Sequence, residues 1–225
     1  MPGLLLAPHP PCLRGRAPPR QAPGARPLRQ AAVPPRALPA RRPENVPGEL
    51  FVDESCIDCD TCRWMCPSVY TREGRMSAVT KQPGAEDRAA ALRALVACPT
   101  GSIRAKPGAS SAGIQEAREA FPDPVEGAPG VYHCGYHSRK SYGAASYLVV
   151  RPEGNVLVDS PRFAAPLASR VDALGGVRYM VLTHSDDVAD HQMWADRFGC
   201  ERVIHAAEVH PRQGTDAAER VLEGG

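Results

Sequence analysis

The chain has 225 residues, of which 27 are basic, 25 are acidic and 24 are prolines. Residues 1–43 hold eight arginines and no acidic residue, so the rest of the chain is net acidic and is not expected to bind nucleic acid. No stretch approaches the roughly 20 apolar residues that a membrane-spanning helix needs, so no membrane span is expected.

Residues 1–43 are rich in arginine, proline and alanine. An arginine-rich, acid-free start resembles an organelle transit peptide, and we expect import into the chloroplast, with the mitochondrion as the alternative. The segment contains no serine, and its prolines do not allow a long amphipathic helix. A disordered Pro/Arg tail is therefore the other interpretation of this segment.

A cysteine-rich stretch, "CIDCDTCRWMCP", runs from Cys56 to Pro67 after the strand-like "LFVDESC". Three cysteines at two-residue spacing and a following C-P are typical of bacterial iron–sulfur loops. Further along, "GAEDRAAALRALVACP" predicts a helix that ends at Cys98. Because cluster ligation needs thiolates, this pattern indicates a reduced thiol site and not a set of secreted disulfides.

The region 44–106 resembles a single-cluster [4Fe–4S] ferredoxin domain, since "CPTGSI" is similar to the second ligand box of such proteins. The resemblance implies one [4Fe–4S] cluster with Cys66 left over. The implied ligands are Cys56, Cys59, Cys62 and Cys98. A zinc ribbon also uses four thiolates, but it typically pairs two C-x₂-C knuckles, whereas here three cysteines share one loop.

The rest of the chain divides into a linker and a second domain. Residues 107–130 have prolines and glycines at both ends and are predicted to be a linker. From residue 131, "SYLVVRPEGNVLVDS" predicts a hairpin, and the strands "VRYMVLTH" and "RVIH" alternate with predicted helices. The last of these helices is expected in "DAAERVLEGG". Alternating strands and helices indicate a layered domain over 131–225.

The stretch "VLTHSDDVADH" lies where a buried strand is expected to pass into a helix. On that helix Asp187, Asp190 and His191 stand at i, i+3 and i+4, so they are expected to share one face. The stretch resembles the signature of the metallo-β-lactamase fold, histidine-x-histidine-x-aspartate-histidine. The implied metal ligands are His184, Asp186, Asp190 and His191. The aspartate at 186 replaces a histidine, and this harder ligand favours iron or manganese over zinc. The last pair comes two residues later than in the motif. The alternative is a helix start with acidic caps.

The combination resembles the ferredoxin-linked metallo-β-lactamase-like proteins of plants, algae and cyanobacteria. It implies an α+β chain in which a small ferredoxin-like domain precedes the N-terminal half of an αββα domain, behind a disordered N-terminus. The later metal ligands of that fold are not found before Gly225, so the second domain is expected to be partial.

Three functions stay open on the sequence. The first is electron transfer or redox sensing by the cluster, with a redox protein or an internal acceptor as partner. The second is a metal-dependent hydrolase that binds zinc or iron and uses the cluster for regulation. The third is a non-catalytic interaction module. In each case a partner is expected to cover the partial domain.

Overall fold

A computed structural model describes residues 38–107 and 111–224. Its helices are α1 (Thr61–Met65), α2 (Arg88–Ala97), α3 (Ser111–Glu119), α4 (Ala165–Ala173) and α5 (His191–Phe198). Its strands are β1 (Leu50–Val52), β2 (Tyr70–Glu73), β3 (Met76–Val79), β4 (Ile103–Ala105), β5 (Asp123–Pro124), β6 (Val131–His133), β7 (Tyr147–Val149), β8 (Val156–Val158), β9 (Tyr179–Leu182), β10 (Glu201–His205) and β11 (Arg220–Leu222). The predicted α+β class is confirmed. No helix within these residues is long and apolar enough to cross a membrane.

The first half is built from two antiparallel strand pairs and two helices. Strand β1 pairs with β4, so that the start and the end of this half lie side by side. Strands β2 and β3 form a hairpin whose turn contains Gly74 at φ 64°, a conformation that glycine adopts without steric cost. Helix α1 packs on α2, and Leu50, Val52 and Leu92 are buried in the core.

The fold begins before residue 44, the predicted start of the first domain. The backbone of Arg41 forms an isolated antiparallel β-bridge with that of Asp53, and Arg42 is 3 % exposed. The Arg42 guanidinium donates to the carbonyls of Glu73 (2.9 Å) and Ser77. These two arginines share the composition of the N-terminal segment, so composition alone assigned them to it. Residues 1–37 of that segment lie outside the described residues.

A seven-stranded sheet forms the second half, in the order β11-β10-β9-β8-β7-β6-β5. The three strand pairs from β5 to β8 are antiparallel, whereas the three pairs from β8 to β11 are parallel. The predicted hairpin is present as β7 and β8. The sheet buries an apolar face that includes Leu148, Leu157, Met180, Leu182 and Ile204.

Two predictions about chain segments are wrong. The predicted linker 107–130 contains α3, which packs on α2, and β5, which joins the sheet beside β6. The prolines and glycines at its ends therefore mark where secondary structure begins and ends, and the segment between them is not a linker. The helix predicted near the end of the chain is instead strand β11, which pairs in parallel with β10. The neighbouring Glu219 carboxylate binds the Arg202 guanidinium of β10 and anchors this strand.

Candidate iron–sulfur site

Four of the cysteines line one small cavity. Cys56, Cys59 and Cys62 come from the loop between β1 and α1 and from the first turn of α1, and Cys98 follows the last residue of α2. Cys62 and Cys98 are each 8 % exposed. The structure therefore brings together the four cysteines that the sequence singled out.

The loop that carries three of these cysteines has an unusual backbone. Asp58 and Asp60 adopt φ values of 58° and 69°, in the left-handed region that costs a non-glycine residue on the order of 1 kcal/mol. Arg63 of α1 offsets this cost because its guanidinium donates to both carboxylates, at 2.7 Å to Asp58 and 2.5 Å to Asp60. The two turns reverse the chain between successive cysteines and direct them to the same cavity.

The chain direction changes at Cys98, where α2 ends. Its backbone leaves the helical region at φ −53° and ψ 119°, and its N–H still donates to Ala94. Pro99 follows, which cannot continue the helix and disfavours the helical region for the residue before it. The sequence Cys-Pro therefore explains why the helix stops with this thiol at the cavity.

Cys66 lies outside the cavity. It is 2 % exposed, and its Sγ is 3.6 Å from Ser68 Oγ and 3.9 Å from the carbonyl oxygen of Asp87. It therefore occupies a separate packed position between α1 and α2, as a buried thiol that contacts weak hydrogen-bond partners.

Burial favours the protonated form of two of the cavity thiols, Cys59 and Cys62. Burial raises the pKa of the Cys62 thiol to about 12, and burial also raises the pKa of Cys59. A cluster needs thiolates, so its positive iron ions have to offset this desolvation, and proton release accompanies loading. The donor set of four soft sulfurs suits an iron–sulfur cluster or zinc.

The second half of the chain packs directly on the cysteine loop. The Tyr142 hydroxyl donates to the carbonyl of Ile57 at 2.7 Å, and the His137 backbone N–H donates to the carbonyl of Ala97 at 3.1 Å. Gly143, at φ 88°, lies so close that an added Cβ would be 2.8 Å from Cys59 Cβ. This coverage was not predicted, because nothing in the local sequence around residue 143 indicates a contact with Cys59.

The residues predicted as a second metal site are not brought together. His184 Nε2 contacts Asp187 Oδ2 at 3.3 Å, while the side chain of Asp186 is exposed. A further carboxylate, Asp159, binds Thr183 beside them. Burial raises the pKa of Asp187, and the nearby carboxylates of Asp159 and Asp186 raise it further. Asp159 does not stand out in the sequence, and Asp187 was not predicted to be a ligand.

Asp190 and His191 have other partners. Lys140 Nζ donates to Asp190 Oδ1 at 2.7 Å. His191 Nε2 is 3.0 Å from the carbonyl oxygen of Gln213, and its Nδ1 is 3.2 Å from the Arg202 guanidinium. Both candidate ligands therefore have their polar atoms engaged in hydrogen bonds within the fold.

The expected shared helix face is wrong, and this explains why the predicted metal site is not formed. Residues 185–187 form a 3-10 turn, Ala189 adopts φ 30°, and helix α5 starts only at His191. The i, i+3, i+4 geometry expected from residue 187 onward is therefore absent. In the part of the chain that the structure describes, no three His, Cys, Asp or Glu side chains are placed to hold a single metal ion.

Comparisons with known proteins identify the first half. Residues 52–105 match the family model of the 4Fe-4S single cluster domain of ferredoxin I. No curated protein matches the chain.

Solved structures similar to the chain are metallo-β-lactamases. FEZ-1 from Legionella gormanii is 16% identical, with a TM-score of 0.32, over 43% of this chain and 44% of that one. A Cronobacter sakazakii enzyme with a HARLDQ motif is 22% identical, with a TM-score of 0.29, over 36% and 33% of the two chains. SMB-1 bound to 2-mercaptoethanesulfonate is 18% identical, with a TM-score of 0.31, over 43% and 44%.

The chain spans less than half the length of these metallo-β-lactamases, and their active sites are not transferred to it. The family match, by contrast, covers the cavity cysteines and the two strand pairs around them. It favours the iron–sulfur cluster over the zinc alternative. Residues 52–105 therefore form a single-cluster 4Fe-4S ferredoxin domain.

Proposed function

We propose that the chain transfers electrons or senses redox state through one [4Fe–4S] cluster bound by Cys56, Cys59, Cys62 and Cys98. One observation carries the proposal: these four thiols line a single cavity, and Cys66 does not. When bound, such a cluster supplies a one-electron carrier whose potential depends on hydrogen bonds to its sulfurs and on solvent exposure.

The second half of the chain packs against the cluster site. Tyr142 donates to the carbonyl of Ile57, and Gly143 packs against Cys59. Trp64, which is 51 % exposed, lies on α1 beside Cys62. The second half contacts the cluster loop directly, and we therefore propose that it contains or recruits the electron acceptor, either internally or as a docked redox protein.

The ligand set is tested by comparing two cysteine substitutions in the full chain, purified without oxygen. The wild-type protein should contain about four iron and about four sulfide ions per chain, as one cubane requires. Cys98→Ser should abolish the cluster or leave a three-iron species. Cys66→Ser is the matched control, because Cys66 is also buried but lies outside the cavity, and it should leave the cluster intact.

Two outcomes would overturn the ligand assignment. One is an equal loss of iron in Cys98→Ser and Cys66→Ser. The other is a stoichiometric content of zinc in place of iron. For the redox role, a cluster that no chemical reductant can reduce within the accessible range would contradict electron transfer.

The hydrolase alternative has less support from the geometry. His184, Asp190 and His191 point to different partners, and we therefore propose at most weak binding of zinc or iron in the second half. Titration of the protein with either ion, followed by assays with thioesters, lactams and phosphodiesters, tests this. Robust hydrolysis that is lost in His184→Ala and His191→Ala would establish an enzyme.

Localisation and partners are proposed on the sequence and on the outer strand. A fluorescent protein fused behind residues 1–50 should accumulate in the chloroplast of a green alga, and uniform cytosolic fluorescence would refute import. On β11, Val221 and Leu222 are 46 % and 53 % exposed, which supports a partner that covers this strand. Sedimentation of the full chain with and without Val221→Lys tests whether this strand mediates association.

A further inference from the structure

Two buried histidines of the second half contact each other close to the cysteine cavity. His133 and His137 are 7 % and 0 % exposed, and their Nε2 atoms are 2.8 Å apart. Trp64 of the ferredoxin domain packs against both rings, with centroid distances of 5.2 and 6.2 Å. Neither imidazole lies among the proposed cluster ligands, so their buried polar atoms call for another role.

The hydrogen bonds fix which nitrogen of each ring holds its proton. His137 Nδ1 is 2.6 Å from the carbonyl oxygen of Gly143, which can only accept, so His137 is protonated at Nδ1. Its Nε2 is then an acceptor, and His133 must donate from its own Nε2. Burial lowers the pKa of both rings to about 4, so this neutral pair is the form present near pH 7.

Thr61 extends this chain of hydrogen bonds to the cavity. Its Oγ1 is 3.1 Å from His137 Nδ1 and 3.4 Å from Cys59 Sγ, and the residue is 1 % exposed. Because the single Nδ1 proton is directed at the Gly143 carbonyl, this nitrogen cannot accept a hydrogen bond from the threonine hydroxyl. The threonine proton is then free to point at the sulfur, and the imidazole selects the hydroxyl orientation in which Thr61 donates to Cys59.

We propose that His137 is a positioning residue for the cluster: by orienting the Thr61 hydroxyl, it maintains a hydrogen bond to the Cys59 sulfur and raises the reduction potential of the ferredoxin domain. The inference rests on the proposed function. Reduction adds negative charge to the cluster and its thiolates, so a donor to one of these sulfurs stabilises the reduced state. The second half thereby sets the potential of the first half through a single side-chain contact.

The arrangement also explains the coverage of the loop near Gly143. The carbonyl that fixes the His137 tautomer belongs to the glycine that packs against Cys59. One segment of the second half therefore both fixes the His137 tautomer and packs against Cys59. A shift of this segment, for example on partner binding, would change both at once and would reach the cluster as a change in potential.

The test is the midpoint potential of the cluster in the full chain, measured by a dye-mediated titration. Thr61→Val keeps the shape of the side chain and removes the donor. The equilibrium constant for reduction of the cluster should therefore fall about tenfold, which lowers the midpoint potential by about 59 mV for one electron. Thr61→Ser keeps the donor and is the matched control, with a potential close to that of the wild type. His137→Phe should lower the potential in the wild-type background and have no further effect in Thr61→Val.

The outcomes separate this inference from the proposed function. A wild-type chain without a cluster would refute both. A fully loaded Thr61→Val protein with the wild-type potential would refute this inference alone, and so would equal shifts in Thr61→Val and Thr61→Ser, since those would reflect packing. If His137→Phe fails to fold, the two Thr61 variants still test the hydrogen bond to Cys59 on which the inference depends, and an unchanged potential in Thr61→Val refutes it.

Discussion

Replacing Arg42 by alanine should destabilise the protein, although this residue was predicted to lie in the N-terminal segment. Its guanidinium is buried and donates to the carbonyls of Glu73 and Ser77 on the β2–β3 hairpin. A carboxylate, Glu44, also lies 3.2 Å from Arg42 but is 41 % exposed. The substitution therefore leaves two carbonyls without their charged donor. It also removes the side chain that ties the β2–β3 hairpin to the start of the fold.

The magnitude follows from these contacts. A hydrogen bond from a charged donor contributes about 1.5 to 3 kcal/mol, and water that enters after the substitution recovers part of the loss. We therefore expect the free energy of unfolding to fall by about 3 kcal/mol, with little from the exposed pair with Glu44. At an m-value of about 2 kcal/mol/M this shifts the urea midpoint by about 1.5 M.

The assay is urea unfolding followed by circular dichroism, with Arg72→Ala as the control. Arg72 lies on the same hairpin, but its side chain is 59 % exposed and its pair with Asp58 is a surface ion pair, so its removal should cost less than about 1 kcal/mol. If the two variants lose the same stability, the reasoning is wrong. If the expectation holds, a leader peptidase that leaves a stable protein has to cut before Arg42.

Three further predictions use the same unfolding assay. Asn45→Ala should cost about 3 kcal/mol, because this buried amide makes four hydrogen bonds to the main chain, and a loss below 1 kcal/mol would contradict this. Burial lowers the pKa of His133 and His137 to about 4 in the folded state, against about 6.5 when unfolded. The unfolded chain therefore binds more protons between these values, so stability should decrease as the pH falls from 7 to 5, and an unchanged midpoint would refute the neutral pair. His184→Ala, at a half-exposed position, should change stability by less than about 0.5 kcal/mol and leave the cluster absorption spectrum unchanged; a bleached spectrum would show a link to the cluster.

Much of the fold could be predicted because its signals are local. The turn chemistry of Pro152 to Asn155 gave the β7–β8 hairpin, and Cys98-Pro99 gave the end of α2. Strand β5 has two residues, which is too few for any periodicity to be detected. All three residues of strand β11 are exposed, and the strand is held by pairing with β10, a contact between segments that helix and strand propensities do not report.

The same distinction applies to the site. The cysteine spacing marks the loop, and the resemblance of "CPTGSI" to a second ligand box adds Cys98, so the four thiols at the cavity could be identified from local sequence. The contributions of His137, Tyr142 and Gly143 depend on contacts between the two halves, and no local sequence motif predicts such contacts. The expected second metal site failed at Ala189, whose left-handed backbone interrupts a helix that composition alone would continue.

The docking of residues 137–143 on the cysteine loop also constrains the order in which the protein matures. The chain is made from its N-terminus, so all four cavity cysteines exist before the segment that will cover them. Once Tyr142 has bound Ile57 and Gly143 has closed on Cys59, a cluster donor no longer has open access to that side of the loop. Cluster delivery therefore has to precede this docking or displace it, and the second half becomes the last piece of the site to be assembled.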